Sequence, residues 1–261
     1  MLRKYKTFLV KAIYFLEALF LKKDSLCPYC HENHFEIVSK KAYLIDICHC
    51  LCCGLYWTNP IFRLYKFYNF IYEAEDCALA LPKNKDLQKL LSSNFREIEK
   101  EDTLLIGWLK KNAKGRKLLE FGSAWGYFLY QAQKEGFDAI GVEISKKKRI
   151  FGRDKLKVKI IPNMDILLSA GERYDIIVTF DTLEHLPSVS SIFRTFNALL
   201  NKGGILVIDT LFLKEVNKYY MSKMGAVHPL GFSKEFFEKN MPKEGFRLDF
   251  WNQQAICTKI S

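Results

Sequence analysis

Apolar residues along this chain follow two different periods, and the second half switches between them in regular order. Near the start, Leu2, Tyr5, Leu9, Ala12, Leu16 and Leu19 recur at helical spacing, with Arg3, Lys4, Lys6, Lys11, Lys22 and Lys23 among and after them. The pattern predicts a basic amphipathic helix over residues 1–24. Lys11 and Glu17 break the apolar run, so it reads neither as a secretory leader nor as a membrane span, which needs about 20 apolar residues. Such a stripe suits packing against the protein or a second copy, or lying on an anionic membrane surface; packing is the expected use. Residues 61–111 read as a helical connector. Its first part is dense in aromatics (Phe62, Tyr65, Phe67, Tyr68, Phe70, Tyr72) and reads as a bridging helix or as an aromatic wall for a substrate. Its second part gives one or two helices, with Phe95, Ile98, Leu105, Trp108 and Leu109 facing inward. From Arg116 onward, strands are expected near 116–121, 138–142, 158–161, 174–180 and 204–210, with helices between them. The helix after Glu143 is expected to be short, because 146–154 is basic and Gly152 interrupts it. Strand and helix in alternation imply a parallel sheet covered by helices on both faces.

Six of the eight cysteines crowd into residues 27–53. Cys27-Pro28-Tyr29-Cys30 and Cys50-Leu51-Cys52-Cys53 form two knuckles, separated by the roughly 15–20 residues typical of a four-cysteine zinc site. Cys27, Cys30, Cys50 and Cys53 are the expected ligands, with Cys48 or Cys52 as competitors for the second pair. Glu36-Ile37-Val38 and 43–47 supply short strands between the knuckles. Residues 25–60 therefore read as a small ribbon too small to bury a core unaided, in which the metal is chiefly structural. Thiols used in this way point to a reducing, cytoplasmic compartment.

A third feature organises residues 112–261. The apolar run Leu118-Leu119 ends in Glu120, and Phe121-Gly122-Ser123-Ala124-Trp125-Gly126 leads into a helix-compatible segment. Strand, glycine turn and helix start are the context of a nucleotide-binding loop. The small residues there allow a sharp turn and a close ligand approach.

Glu120-Phe121-Gly122-Ser123-Ala124-Trp125-Gly126 resembles the first motif of class I S-adenosylmethionine-dependent methyltransferases, with Ala124 in place of the middle glycine. Further stretches resemble later motifs of that family in order: 140–145 with Glu143, then 174–186 with Asp181 and Glu184-His185, then Leu200-Asn201-Lys202-Gly203-Gly204. The cysteine segment with Gly54-Leu55-Tyr56-Trp57-Thr58-Asn59-Pro60 resembles the zinc ribbon that precedes the catalytic domain in one group of these enzymes, many linked to sugar and surface-glycan modification. The resemblance implies an α/β fold: a Rossmann-like, doubly wound, mostly parallel seven-stranded sheet, closed by strands near 247–250 and 253–259.

It also implies a site. Backbone at Gly122, Ser123, Ala124 and Gly126 holds the methionine part of S-adenosylmethionine, and Glu120 lies at the end of the same strand. Glu143, with Ile144 beside it, takes the ribose hydroxyls. Asn163, Met164 or Asp165 meets adenine, and Phe180 and Asp181 flank the sulfonium. His185 reads either as catalytic or as structural behind the cofactor. His228, in the loop before the Ser233-capped helix, reads as a general base or as a loop-fixing residue; Tyr219 and Tyr220 are weaker candidates.

The 49% hydrophobic and 26% charged residues are an ordinary globular balance, excluding a disordered or fibrous chain. The formal charge of +11 favours anionic partners. A small-molecule acceptor, a sugar or surface-glycan precursor, is the leading expectation, with zinc and S-adenosylmethionine as cofactors. The location is cytoplasmic, with peripheral attachment to the inner membrane face through residues 1–23 as the alternative. An RNA methyltransferase is the second reading, although no Asn/Asp-Pro-Pro-Tyr motif or arginine-rich arm supports nucleic acid. A non-catalytic ribbon adaptor is the third.

Overall fold

The computed structural model describes residues 12–61, 81–95, 102–210 and 217–260. The aromatic run 62–72, Ile98 and the start of the basic helix lie outside the described residues. The chain divides into two compact units that are not contiguous in sequence. One comprises Met1–Ile71, Phe180–Asn197 and Ile208–Cys257; the other comprises Tyr72–Thr179, Ala198–Val207 and Thr258–Ser261.

In the first unit, β1 (Phe35–Lys41), β2 (Ile45–Cys50) and β3 (Leu55–Asn59) form an antiparallel meander. Every residue of β2 and β3 is buried, so both faces of these strands are covered. The cover comes partly from the far end of the chain. A three-residue strand, β9 (Leu230–Phe232), pairs antiparallel with β3 through Leu55, Tyr56 and Trp57. The helix Lys234–Asn240 follows, with Ser233 Oγ accepting the Phe236 amide as N-cap. Asn240 Nδ2 donates to the Cys53 carbonyl at 2.8 Å, and Lys239 Nζ donates to that of Leu51. Tyr29, between the first two cysteines, packs edge-on against Phe236 and Phe193 and donates its hydroxyl to Glu244 at 3.0 Å. The ribbon thus borrows its hydrophobic core from Phe193 and residues 230–246 of the same unit, which answers its inability to build one alone.

The helix over 12–20 is fixed to this unit by one face. Tyr14 and Ala18 pack with Ile45, and the Tyr14 hydroxyl donates to the Pro60 carbonyl at 3.1 Å. Packing was expected to bury the leucine stripe. Instead, Leu16 and Leu19 lie on the opposite face and are half exposed, because Tyr14 and Ala18 occupy the inward positions. Among the described residues no helix is long and apolar enough to cross a membrane.

The larger sheet has the order β10-β11-β8-β7-β4-β5-β6, with β4 (Lys117–Phe121), β5 (Asp138–Val142), β6 (Lys159–Ile161), β7 (Tyr174–Phe180), β8 (Leu200–Asp209), β10 (Phe246–Trp251) and β11 (Gln254–Lys259). β4 pairs in parallel with both β5 and β7, and β5 with β6. The interior of β4 and β7 is apolar and closed to solvent (Leu118, Leu119, Ile176, Ile177, Val178), as parallel strands covered on both faces require. Asn252 and Gln253, both at positive φ, make the two-residue turn of the β10–β11 hairpin. The short helix expected after Glu143 runs over Lys146–Phe151. It then continues as one π turn from Gly152, where a Cβ would stand 2.9 Å from the Trp125 carbonyl oxygen.

Candidate active site

The chain leaves β4 for β5 and β6 on one side, then returns to β7 on the other. The carboxyl end of β4 therefore lies at the topological switch point where doubly wound sheets bind ligands. The loop there is held tightly. The amides of Gly122 and Ser123 both donate to the Val142 carbonyl, at 2.9 and 3.0 Å, and Gly126 N donates to that of Ser123. Gly122 and Gly126 have φ of 83° and 85°, which only glycine adopts without cost. Ala124 takes φ 47° in the position where the resemblance has glycine. Gly126 opens the helix Tyr127–Lys134. A Cβ there would sit 2.6 Å from Val158 Cγ2, and one on Gly141 would sit 2.3 Å from Ser123 Oγ.

Two carboxylates border this turn. Glu120 is buried, and among the described residues its Oε2 has no hydrogen-bond partner. Burial, then the charges of Asp102 and Glu143, push its carboxyl well above the usual carboxylate range. Glu143 is buried too, and its Oε1 accepts the Ser145 amide at 2.7 Å. Arg149 clasps the same turn by donating to the carbonyls of Glu143 and Ile144, both at 2.7 Å, while the Ile144 side chain stays exposed. Asn163 is exposed after β6, with Oδ1 toward the Ile166 amide at 3.4 Å, and Met164 starts the helix Asp165–Ser169. The structure thus gathers Glu120, Gly122, Ser123, Ala124, Gly126 and Glu143 around one turn. A buried carboxyl with one oxygen lacking a partner among the described residues, beside a second carboxylate, is a place for a cation. S-adenosylmethionine carries an ammonium and a sulfonium, so the donor set fits it.

Phe180 ends β7 and Asp181 follows it, and the two open the first unit's second segment. Asp181 has φ 43°, and its amide donates to the Asp209 carbonyl at 3.0 Å. Past them, Glu184 is buried and accepts the Thr210 hydroxyl at 2.8 Å. His185 and His228 come together, ring centroids 4.7 Å apart. The sequence does not signal this pairing, since neither residue's own segment points to the other. Each Nδ1 faces a backbone carbonyl, of Val227 at 2.6 Å for His185 and of Lys223 at 3.1 Å for His228. A carbonyl only accepts, so Nδ1 carries the proton in each neutral ring and Nε2 the lone pair. Burial pulls His228 below the usual histidine value. Tyr219 is exposed.

The sulfurs of Cys27, Cys30, Cys50 and Cys53 all lie within 4.8 Å of one another, with the Cys27–Cys53 and Cys30–Cys50 pairs at 3.6 and 3.5 Å. A tetrahedral zinc with bonds of about 2.3 Å separates its sulfurs by about 3.8 Å. Cys48 is buried outside this group and Cys52 is exposed.

A glycine turn at the switch point, two buried acidic residues behind it and strand order reversing beside it are those of a Rossmann-like, doubly wound ligand-binding fold. The chain belongs to the methyltransferase domain family, whose profile matches residues 90–249. It is similar to the ubiquinone biosynthesis O-methyltransferase of Bordetella avium, 26% identical over 129 residues that cover 46% of this chain and 54% of that protein. The corresponding protein of Acinetobacter baumannii (strain ACICU) is 22% identical over 149 residues, covering 53% and 62%. The chain thus spans little more than half the length of these relatives. DesVI of Streptomyces venezuelae is similar in structure, with a TM-score of 0.53 at 14% identity over 69% of this chain and 100% of that one. So is CalS10, an amino pentose methyltransferase from Micromonospora echinaspora, with a TM-score of 0.50 at 13% identity over 69% and 98%. At such identities the likeness establishes the fold.

Proposed function

We propose that this chain transfers a methyl group from S-adenosylmethionine to a hydroxyl or amine of a small-molecule acceptor, a sugar or surface-glycan precursor. The observation that carries the reading is the buried Glu120 carboxyl behind the Gly122–Gly126 turn, whose Oε2 has no hydrogen-bond partner among the described residues and suits a cationic ligand. Bound S-adenosylmethionine supplies an electrophilic methyl group on sulfur. The chain's own part is to bind, orient and take a proton. The backbone amide of Ala124, in the turn that leads into the helix Tyr127–Lys134, holds the carboxylate end. Glu143, steadied by the Ser145 amide, accepts from the ribose, and Asn163 with Met164 borders the adenine. The family resemblance assigns Phe180 and Asp181 to the sulfonium end. His228, neutral at pH 7 with its lone pair on Nε2, takes the acceptor's proton, and His185 positions that ring. Alignment supplies most of the remaining acceleration, about 7–11 kcal/mol.

Relatives named for O-methylation and for an amino pentose substrate make hydroxylated or aminated small molecules the first acceptors to try. We assign zinc to Cys27, Cys30, Cys50 and Cys53 as a structural ion, on the closeness of the four thiols. Thiols in that state belong to the reducing cytoplasm. The test is calorimetry with S-adenosylmethionine, followed by release of S-adenosylhomocysteine against a panel of nucleotide- and lipid-linked sugars, with RNA as the control. No cofactor binding would leave a ribbon adaptor, and turnover on RNA alone would overturn the small-molecule acceptor.

A further inference from the structure

The helix over 12–20 has two apolar faces, and the ribbon uses one. Tyr14 and Ala18 face Ile45. Asn59 clamps the chain just beyond the helix by a reciprocal pair, accepting the Asp24 amide and donating to the Asp24 carbonyl, each at 2.8 Å. Lys23 Nζ meets Asp46 at 2.7 Å. Helix and ribbon are therefore held in one orientation. Phe15, Leu16, Leu19 and Phe20, at i, i+1, i+4 and i+5, share the opposite face and are 42%, 55%, 50% and 85% exposed. A helix whose only task was to cap the ribbon would carry polar residues there. Leu16 and Phe20, with Ile13, Glu17 and Leu21, line a shallow groove of about 330 Å³.

The charge of the sequence segment that carries this helix selects its occupant. Before Asp24 the chain carries six basic residues (Arg3, Lys4, Lys6, Lys11, Lys22, Lys23) and one acidic residue, Glu17. A second copy would bring the same positive charge against itself. A surface of anionic lipid complements both the charge and the bare aromatic and leucine side chains. We infer that this face docks the protein on an anionic bilayer, with Phe15, Leu16, Leu19 and Phe20 entering the headgroup boundary and Lys22 meeting lipid phosphates. The inference is independent of the acceptor's identity and of methyl transfer itself.

The test is co-sedimentation of the full chain with phosphatidylglycerol-containing vesicles, beside pure phosphatidylcholine and beside Leu16→Glu/Phe20→Glu. The expected result is pelleting with the anionic vesicles, weakened by salt, and lowered roughly tenfold or more in the double variant. Circular dichroism and cofactor titration of the variant check that the Tyr14–Ala18 face still holds the fold. Absence of pelleting by the native chain, or equal pelleting of the double variant, would overturn the inference. So would a dimer in size-exclusion chromatography that the double variant converts to monomer without any vesicle binding, which would assign the face to a second copy.

Discussion

The rings of His185 and His228 lie 4.7 Å apart, inclined by 36°, and each is anchored through Nδ1 to a backbone carbonyl. The carbonyls belong to Val227 and Lys223, so one short loop sets the tautomer of both rings. With burial holding His228 below its ordinary value of 6.5, the ring is neutral through the physiological range. If it is the base, the rate rises with pH through a value below 6.5 and is flat above it. His228→Ala is expected to lower kcat about 10²–10⁴-fold and to remove that limb. A variant that lost stability but kept the limb would make His228 a loop anchor only. The same shift acts on folding. Below pH 6.5 the unfolded chain takes the proton first, so this stability is complete above 6.5 and is lost as pH falls toward the folded value.

Glu120 gives a second pH signature, of opposite sign. Burial makes its carboxyl hold a proton more readily in the free protein than an ordinary carboxyl does, and a cationic ligand beside it favours the ionised form. Binding of S-adenosylmethionine should then release a proton. The affinity should climb by up to about tenfold per pH unit until the free protein's own value is passed. Calorimetry in buffers of different ionisation enthalpy reads the proton directly, and Glu120→Gln should abolish it. Proton release that survives in Glu120→Gln would move the linkage to another group. Glu143→Ala should instead weaken binding by about 1.5–3 kcal/mol, through loss of a charge-assisted acceptor.

The cysteine site predicts a graded series. Cys27→Ser and Cys53→Ser should lose the metal, whereas Cys48→Ser and Cys52→Ser should retain about one zinc per chain, since neither sulfur belongs to the four-thiol group. Metal analysis decides this, and a zinc-free native protein prepared without chelator would remove the assignment. Chelation should disturb the helix Lys234–Asn240 as well, because Asn240 and Lys239 hang from the carbonyls of Cys53 and Leu51. Hydrogen exchange at 234–240 would report it.

How much of this was legible in the sequence follows from what range each feature spans. The strands of the large sheet are continuous apolar runs bounded by turn residues, so β4, β5 and β7 read almost to the residue. The positions of Glu120, Gly122, Gly126 and Glu143 at strand ends and turn read because both features are local. The partners of the ribbon do not read. β9 is only Leu230-Gly231-Phe232, too short for any period, and its pairing with β3 joins segments far apart in the chain. The histidine pair and the Glu184–Thr210 bond are hidden for the same reason. At the first helix the described residues 12–20 keep the helical period but turn another face inward. The leucine spacing marks one apolar stripe, and nothing local says that Tyr14 and Ala18, on the other side, are the pair that packs inward.

Two glycines separate backbone strain from crowding. Gly126 and Gly136 have nearly the same φ, 85° and 86°, so alanine at either forces a left-handed residue, at a cost of about 1–2 kcal/mol. Around Gly136 a Cβ meets nothing within 4 Å, whereas at Gly126 it would lie 2.6 Å from Val158 Cγ2 and 3.1 Å from Ile160 Cδ1. Gly136→Ala should therefore cost the backbone term alone. Gly126→Ala should cost about 1–3 kcal/mol more, because the side chains of a close-packed strand end must shift to admit the methyl group. Urea unfolding of the two variants, with unchanged m, measures the difference. The loop makes a further demand at Gly126 only, since displacing Val158 and Ile160 moves the packing under the cofactor turn. Gly126→Ala should thus weaken S-adenosylmethionine binding as well, while Gly136→Ala leaves it intact. Equal destabilisation by the two substitutions would mean that the wall behind Gly126 gives way without resistance and that its glycine serves the turn's conformation alone.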